Sequence, residues 1–599
     1  MPFGHHRLAR RISTAVAAVV AAAVPVAAGS VLGTTSAHAA VTCQVTYTST
    51  QWGTGSGGFT AGITVKNTGG PIVGWTLTFT LPGSQQITQG WSAQWSQSGA
   101  RVTARNESWN GSIASGSYFQ IGFNGTWTGS NPPPTDFAVN GVPCQVTGVS
   151  PSPSPSPSPS PSPSPSPSAS PSATPGVPVD NPFLGVSGYV DPDWAADVES
   201  SAVKVDDATA QKMRDLKSTP TAVWINRIAD VTGGPGVTRT LKDHLDTAVE
   251  QGAGYITLVL HNLPDRDCRS RVSDAELHQQ DNGLARYKTE YVDAIAALLA
   301  KPEYRDLRVA AIVEPRALID LIVGNSVYMC NLAKASGVYV SGIQYALDKL
   351  APLPNVYTYL DAGSLGWAGW DVNFTALTTL ITETVRGTAR GLNGLDGIAT
   401  NVGDYVPLEE PFLTGPEQTV SGQSILLSKF IDWNPYVHER DYALAMRAAL
   451  IVKGFPASLG VIVDTSRNGW GGPARPTAPS TSTDVNTFVD ESRVDRRPSR
   501  GAECNQKGAG LGERPIAAPV PGIDAYLWIK RPGESDGAGG PILPEGSDRL
   551  FDHRCDPTGS LTPDMDGFRP TGALPNAPLI NDWHHEQFVM LVNNAYPEL

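Results

Sequence analysis

The stretch RVAAIVEPRALI, residues 308–319, is apolar from Val309 to Val313 and then stops at Glu314, Pro315 and Arg316. A continuous apolar run closed by a proline suits a strand buried on both faces, the kind that parallel sheets are made of. If the extended conformation continues to its end, Glu314 and Arg316 are two apart and leave the same face, a carboxylate beside a permanent cation. Runs of the same kind recur on both sides: AVWI (222–225), YITLVLHNL (255–263), VYTYLDA (356–362), GIATNV (397–402), LGVIVDT (459–465) and AYLWIK (525–530). Amphipathic helical stretches such as ARYKTEYVDAIAALLA and ERDYALAMRAALIVKG lie between them. Strands alternating with helices predict a parallel sheet. Seven of them in about 420 residues favour a closed, TIM-like α/β barrel over an open doubly wound sheet.

In such barrels chemistry sits at the C-terminal strand ends. Here those ends are polar: LPDRDC, EPR, DAGSLGW, ATNVGDY, DTSRNGWGG and KRPGESDG follow the second to seventh strands, and Trp367, Trp370 and Trp433 lie in the connections. A single aspartate at such a place is most often a helix cap or a solvated loop residue. Clustered carboxylates with aromatic platforms point instead to glycosidic-bond chemistry.

The rest of the chain divides by composition. His5, His6, Arg7, Arg10 and Arg11 precede an apolar segment, Ala15 to Ala28, and a small-residue exit, Ala37-His38-Ala39, which together read as a secretory leader over residues 1–40. Pro25 and the shortness of the segment argue against a spanning helix, which needs about 20 apolar residues. From Ser150 a repeated Ser-Pro tract runs to Pro178 and can build no core; about 30 residues of proline-rich chain make a semi-rigid spacer on the order of 90 Å long. Between leader and tract, short alternating runs (GITVKN, WTLTFTL, RVTARN, FQIGFNG) broken by Gly, Asn and Ser predict an all-β sandwich over 41–147. Trp75 sits within a strand and reads as core, whereas Trp52, Trp91 and Trp109 lie beside turn residues and read as an exposed binding face.

The six cysteines, at 43, 144, 268, 330, 504 and 555, suit an oxidising, extracellular compartment. Their order suggests neighbouring pairs, although sequence alone leaves the connectivity open. With no CxxC spacing and no histidine cluster, structural zinc is not expected, and no metal or cofactor is. The formal net charge of −13 argues against nucleic-acid or anionic-membrane partners and leaves a neutral polymer open.

Two resemblances sharpen this reading. Cys43 and Cys144 bracketing the GWTLTF strand and the three tryptophans make the N-terminal segment similar to a family 2 carbohydrate-binding module, implying that Trp52, Trp91 and Trp109 stack on sugar rings of cellulose. LPDRDC, DTSRNGWGGPARPT, CNQKGAGLGERP, IKRPGESDG, GALPNAP and NAYPEL make residues 179–599 resemble a glycoside hydrolase family 6 cellulase. That family implies a distorted seven-stranded barrel and hydrolysis of β-1,4-glucan with inversion, by an acid and a base whose carboxyls lie about 6.5–9.5 Å apart. Carried over, Asp536 is the base, Asp267 the aspartate beside the acid, and Ser273 a residue positioning the water. Sugar contacts fall on Tyr189, Asp191, Ser364, Trp367, Asn401, Trp433, Lys530 and Glu534, and Cys268–Cys330 and Cys504–Cys555 match the family's bridges. The length of the domain, with a bridged 504–555 segment, resembles the exo-acting, tunnel-forming type that releases cellobiose. The expected partners are cellulose and cello-oligosaccharides, with no nucleic acid and no membrane, for a secreted, monomeric chain.

Three positions depart. Where the family's third strand end carries the general acid, this chain has Arg316, which holds its proton at any working pH. His261 stands where a tyrosine is usual and Ser364 where a histidine is. Either Asp267 or Glu314 takes over as acid with Arg316 paired to the other carboxylate, or the domain is a cellulose-binding pseudoenzyme that has lost its acid. Arg316 could also form a plain ion pair with Glu314 or Asp320.

Overall fold

The computed structural model describes residues 42–52, 56–107, 110–113, 118–151, 180–270, 275–540, 552–559 and 569–599. The leader, most of the Ser-Pro tract, Trp109 and Ser273 lie outside them. The chain divides into two compact units, Met1–Pro165 and Ser166–Leu599.

The first unit is a β-sandwich. One sheet orders its strands Gln145–Pro151, Cys43–Trp52, Ser56–Asn67, Tyr118–Thr128 and Gln86–Trp91; the other orders Val142–Pro143, Ala138–Val139, Thr76–Thr80, Arg101–Arg105 and Gln94–Ser98. Alternation decides the facing: along Ser56–Asn67, Phe59, Ala61, Ile63 and Val65 are buried while the residues between them are more exposed. Trp75 is core, its ring stacked on Phe119 at 4.0 Å between centroids.

The second unit carries seven parallel strands: β1 (Val223–Ile225), β2 (Tyr255–Leu260), β3 (Arg308–Val313), β4 (Val356–Asp361), β5 (Gly397–Thr400), β6 (Gly460–Asp464) and β7 (Ala525–Leu527). They neighbour one another in that order, and Ile516–Ala517 adds an antiparallel edge to β7. A parallel bridge between Thr221 and Trp528, with the Ala222 N–H donating to the Trp528 carbonyl at 3.0 Å, joins the two sides, so the sheet curls toward a barrel. All seven runs read as strands in the sequence are strands here.

Because both faces are covered, each strand divides its side chains between two cores. Tyr255, Val259, Ala310, Ile312, Tyr357, Tyr359 and Leu527 fill the interior together with Phe183. Ile256, Leu258, Leu260, Val309 and Val313 pack outward against helices such as Val338–Leu350 and Glu439–Val452. Truncating one of these wholly buried aliphatics to alanine costs about 2–5 kcal/mol. The stretch 283–299 is helical throughout, with a π-turn at Tyr287–Val292 that sets Tyr291 under β1 and β2, its hydroxyl donating to the Ile225 carbonyl at 2.6 Å.

Disulfides join Cys43 to Cys144, Cys268 to Cys330 and Cys504 to Cys555. The second ties the loop after β2 to the helix Tyr328–Ser336, and the third ties the segment before β7 to the turn His553–Cys555. Closing loops of these lengths stabilises by about 4 kcal/mol each in the chain-entropy account. No helix among the described residues is long and apolar enough to cross a membrane.

Candidate active site

At the C-terminal strand ends a cavity of about 150 Å³ is lined by Trp224 of β1, His261 and Asp267 after β2, Arg316 after β3, Gly403 after β5, and Lys530 and Asp536 after β7. Parallel strands deliver these groups together because all seven end at the same rim. Beyond the strand ends the backbone turns through left-handed conformations at Asp267 (φ 56), Glu314 (φ 48), Arg316 (φ 66) and Asn505 (φ 40). For residues with a side chain each is strained by about 1–3 kcal/mol, and such strain gathers at functional sites.

Asp536 sits on one wall. The Arg467 guanidinium, wholly buried, donates to both its oxygens at 2.8 and 2.9 Å, while the Tyr405 hydroxyl (2.6 Å) and the Asn505 N–H (2.8 Å) donate to Oδ2 alone. Oδ1 therefore keeps room for a further donor, such as a water. Asn505 is itself fixed: its side-chain oxygen accepts from the Asp536 N–H (2.9 Å) and from Gln587 of the helix His585–Asn593 (2.8 Å). Burial, reinforced by the neighbouring carboxylate, holds the Tyr405 phenol protonated well above its usual range.

The opposite wall is crowded with charge. Asp267 lies 3.4 Å from His261 Nε2 and 3.7 Å from Arg266 Nε. Burial works against its charge, but His261, Arg266 and Arg316 together outweigh it and hold the carboxyl well below the usual range. Arg316 pairs with Glu503 and stands 4.0 Å from Asp404; Arg554 bridges Glu503 to Asp552; Arg269 reaches Asp320 at 3.4 Å. Glu503 is buried, yet Arg316, Arg554 and Arg269 bring its carboxyl down to about 2.

This corrects the reading of the EPR stretch. The strand ends at Val313, and left-handed turns at both Glu314 and Arg316 send the two side chains apart. Glu314 turns inward, buried, and accepts the N–H groups of Asn262 (3.0 and 3.1 Å) and Leu263 (3.2 Å). It lies off the cavity and does not pair with Arg316. The Arg316 N–H donates to Asp361 at 2.9 Å, which pins the turn, and Asp320 belongs to Arg269.

The other candidates separate by burial. Lys530 lines the cavity and donates to Glu534 (3.3 Å) and Asn581 (3.1 Å), so Glu534 anchors it from behind. Trp367 and Trp370 line a second cavity of about 180 Å³ with Arg500 and Asp432, and the Arg269 guanidinium lies 4.0 Å over the Trp367 ring. Trp433 is 63% exposed. Tyr189 is instead in the core, bonded to His244 Nδ1 at 2.8 Å, and Asp191 caps the helix Pro192–Ala202 and pairs with Arg531 at 3.0 Å. Ser364 donates to Asp404, and Asn401 donates to the carbonyls of Val406 and Asp464 at 3.1 and 2.9 Å, both side chains fully buried. These four support the rim rather than line either cavity. Sequence reasoning missed Arg467, Tyr405, Asn505, Glu503 and Arg554. They stand inside or beside the polar motifs, but nothing in linear spacing announces which charges meet. Among the described residues no group of His, Cys, Asp or Glu is arranged to hold a metal ion.

On the sandwich, Trp91 pairs across the sheet with Gly122, which pairs with Gly62; these register positions belong to the outward face of the sheet. The backbone of Trp52 pairs with Gly58. A Cβ on Gly122 would lie 2.3 Å from the Trp91 ring, so glycine is required for the indole to lie flat on the sheet.

Comparison with known proteins gives two family matches: Glycosyl hydrolases family 6 over residues 183–595 and Cellulose binding domain over residues 43–144. Exoglucanase A of Cellulomonas fimi is 48% identical over 435 residues, an alignment covering 70% of this chain and 49% of that protein, so the chain spans about half its length. Exoglucanase 2 of Hypocrea jecorina is 30% identical over 426 residues, covering 70% of this chain and 75% of that protein. Among solved structures, the catalytic domain of Cellulomonas fimi Cel6B superposes with a TM-score of 0.68 at 47% identity, over 71% of this chain and 97% of that one. The Humicola insolens cellobiohydrolase II (Cel6A) in complex with glucose and cellotetraose superposes at 0.55 and 27% identity, over 70% of this chain and all of that one (100%).

Proposed function

The chain belongs to the glycosyl hydrolases family 6, with a cellulose-binding domain ahead of it, and from that premise we propose that it is a cellulase: it hydrolyses β-1,4-glucosidic bonds of cellulose with inversion, acting from chain ends and releasing cellobiose. Residues 1–40 direct export, 41–147 hold cellulose, 148–178 form the tether and 179–599 carry the chemistry. Three disulfides suit an extracellular site of action. Holding the enzyme on its insoluble substrate raises the local concentration of chain ends without any new contact in the site. The chain acts as a monomer on cellulose and cello-oligosaccharides.

The observation that carries this reading is Asp536. Asp536 lines the cavity of about 150 Å³, held by a buried arginine, a phenol and a backbone N–H, with the last two on Oδ2 and fewer partners on Oδ1. In an inverting reaction it takes the proton of the water that attacks the anomeric carbon. Trp224 in the same cavity and Trp367 and Trp370 in the next offer flat apolar faces for glucose rings. Relatives named exoglucanase and cellobiohydrolase support exo action.

The test is the full-length chain on amorphous cellulose and cellohexaose, with Asp536→Ala as control. Release of cellobiose first formed as the α-anomer is expected. A native chain no faster than Asp536→Ala, while still binding cellohexaose, overturns the reading in favour of a binding protein.

A further inference from the structure

Hydrolysis needs a proton for the leaving oxygen, and the charges around the cavity leave little choice of donor. Each carboxylate lining it among the described residues is bonded to an arginine: Asp267 to Arg266, Asp320 to Arg269, Glu503 to Arg316 and Arg554, Asp536 to Arg467, and Asp552 to Arg554. A neighbouring guanidinium favours the ionised form of a carboxyl and so works against giving up a proton; at Asp320 burial outweighs Arg269 and raises the carboxyl, which makes it the competing donor that the experiment below separates from His261. The guanidinium groups cannot give theirs up, Lys530 is engaged with Glu534 and Asn581, and Cys504 and Cys555 are joined. Among the described residues that line the cavity, His261 is the remaining proton carrier that has no arginine partner. Its side chain is 12% exposed, it lines the cavity, and its Nε2 faces Asp267.

We infer that His261, held by Asp267, is the proton donor of this site. The inference rests on the hydrolase reading above. The ring is fixed on every side: edge-on to Trp224 of β1 at 5.6 Å between centroids, with its own backbone N–H donating to the Tyr291 hydroxyl at 3.1 Å. The charged and titratable groups facing it are Asp267 and Arg266 on its own loop, Glu314 and Arg316 at the end of β3, Tyr291 below, and Lys530 across Trp224 at 5.4 Å from that ring. Asp267 is thus the partner of an imidazolium and is no acid itself, which explains a carboxylate kept charged where a proton has to be delivered. The reaction balances. Water attacks the anomeric carbon and loses its proton to Asp536; the glycosidic C–O bond breaks with its electron pair going to the leaving oxygen; that oxygen takes a ring N–H proton from His261. Solvent then reprotonates the imidazole and deprotonates Asp536.

The experiment compares the native full-length chain, His261→Asn and Asp536→Ala on cellohexaose and on 2,4-dinitrophenyl β-cellobioside, whose phenolate departs without a proton. In His261→Asn, kcat on cellohexaose falls about 10²- to 10⁴-fold, kcat on the activated glycoside is nearly retained, and cellohexaose binding persists. A donor that has to carry a proton makes the native kcat on cellohexaose fall on the alkaline side of its pH profile, and that limb is missing on the activated substrate. Equal loss on both substrates, or unchanged kcat and pH profile on cellohexaose, overturns the inference. So does an oligosaccharide-only loss in Asp320→Asn with His261→Asn unaffected, which moves the donor to Asp320. A native chain that matches Asp536→Ala on both substrates sinks the hydrolase reading itself.

Discussion

Asp536 and Asp267 line the same cavity, yet they are charged by different architectures. Asp536 rests on one guanidinium, wholly buried behind it, with a phenol and a backbone N–H completing one oxygen and leaving the other open. Asp267 stands at the margin of a chain of alternating charges in which Arg316, Glu503, Arg554 and Asp552 are bonded in sequence. The first arrangement orients the carboxylate proposed as base. The second neutralises Arg316 and Arg554 with Glu503, Asp552 and Asp404. The contrast teaches that a cation at the rim, here Arg316, is matched by the acidic groups that face it, and that a proton donor has to be sought among groups without an arginine partner.

The comparison can be broken at either wall. The largest effect is expected from Asp536→Ala, which removes the base and lowers kcat on cellohexaose by about 10²- to 10⁴-fold with binding preserved; steady-state rates and calorimetric titration read the two quantities. On the other wall, Glu503→Gln leaves the partly buried Arg316 and Arg554 with half their compensation, and unfolding in urea is expected to show a loss of about 1–3 kcal/mol. Replacing both partners, Arg316→Met with Glu503→Met, removes the charge together with its counter-charge. The double variant is therefore more stable than the sum of its single variants predicts, by about 0.5–3 kcal/mol in a double-mutant cycle. The smallest effect is on acid stability. Glu503 has its carboxyl depressed to about 2 from an ordinary 4.5, so it stabilises fully above about 4.5 and its contribution disappears as pH falls through 2. Melting temperatures between pH 5 and 2 should fall more steeply in the native chain than in Glu503→Gln, where that carboxyl is gone.

Much of the fold was legible. The seven apolar runs from AVWI to AYLWIK are the seven strands, because a strand covered on both faces has to be apolar at successive positions. Trp75 was legible as core for a similar reason, since strand alternation assigns its face. The site was legible only in part. Asp267, Asp536, Arg316 and Lys530 do meet in one cavity, whereas Tyr189, Asp191, Ser364 and Asn401 lie buried beneath the rim. Asp191 shows why: an aspartate before Pro192 has a helix to cap, and a motif match cannot tell a capping carboxylate from a sugar ligand. The expectation for Glu314 and Arg316 failed for a backbone reason. Alternation holds only while the chain stays extended, and left-handed turns on both sides of Pro315 end it there.

By itself the sequence determined a sandwich, a Ser-Pro tract and a curled parallel sheet, because periodicity and composition are properties of neighbouring residues. Which charges confront one another was decided only by the tertiary structure. Arg316 meets Glu503 across 187 positions, Tyr405 meets Asp536 across 131 and Arg467 meets Asp536 across 69. Those distances along the chain collapse only when parallel strands curl and set all their ends on one rim. An ion pair depends on separation in space, and separation in space is what folding, not spacing, supplies.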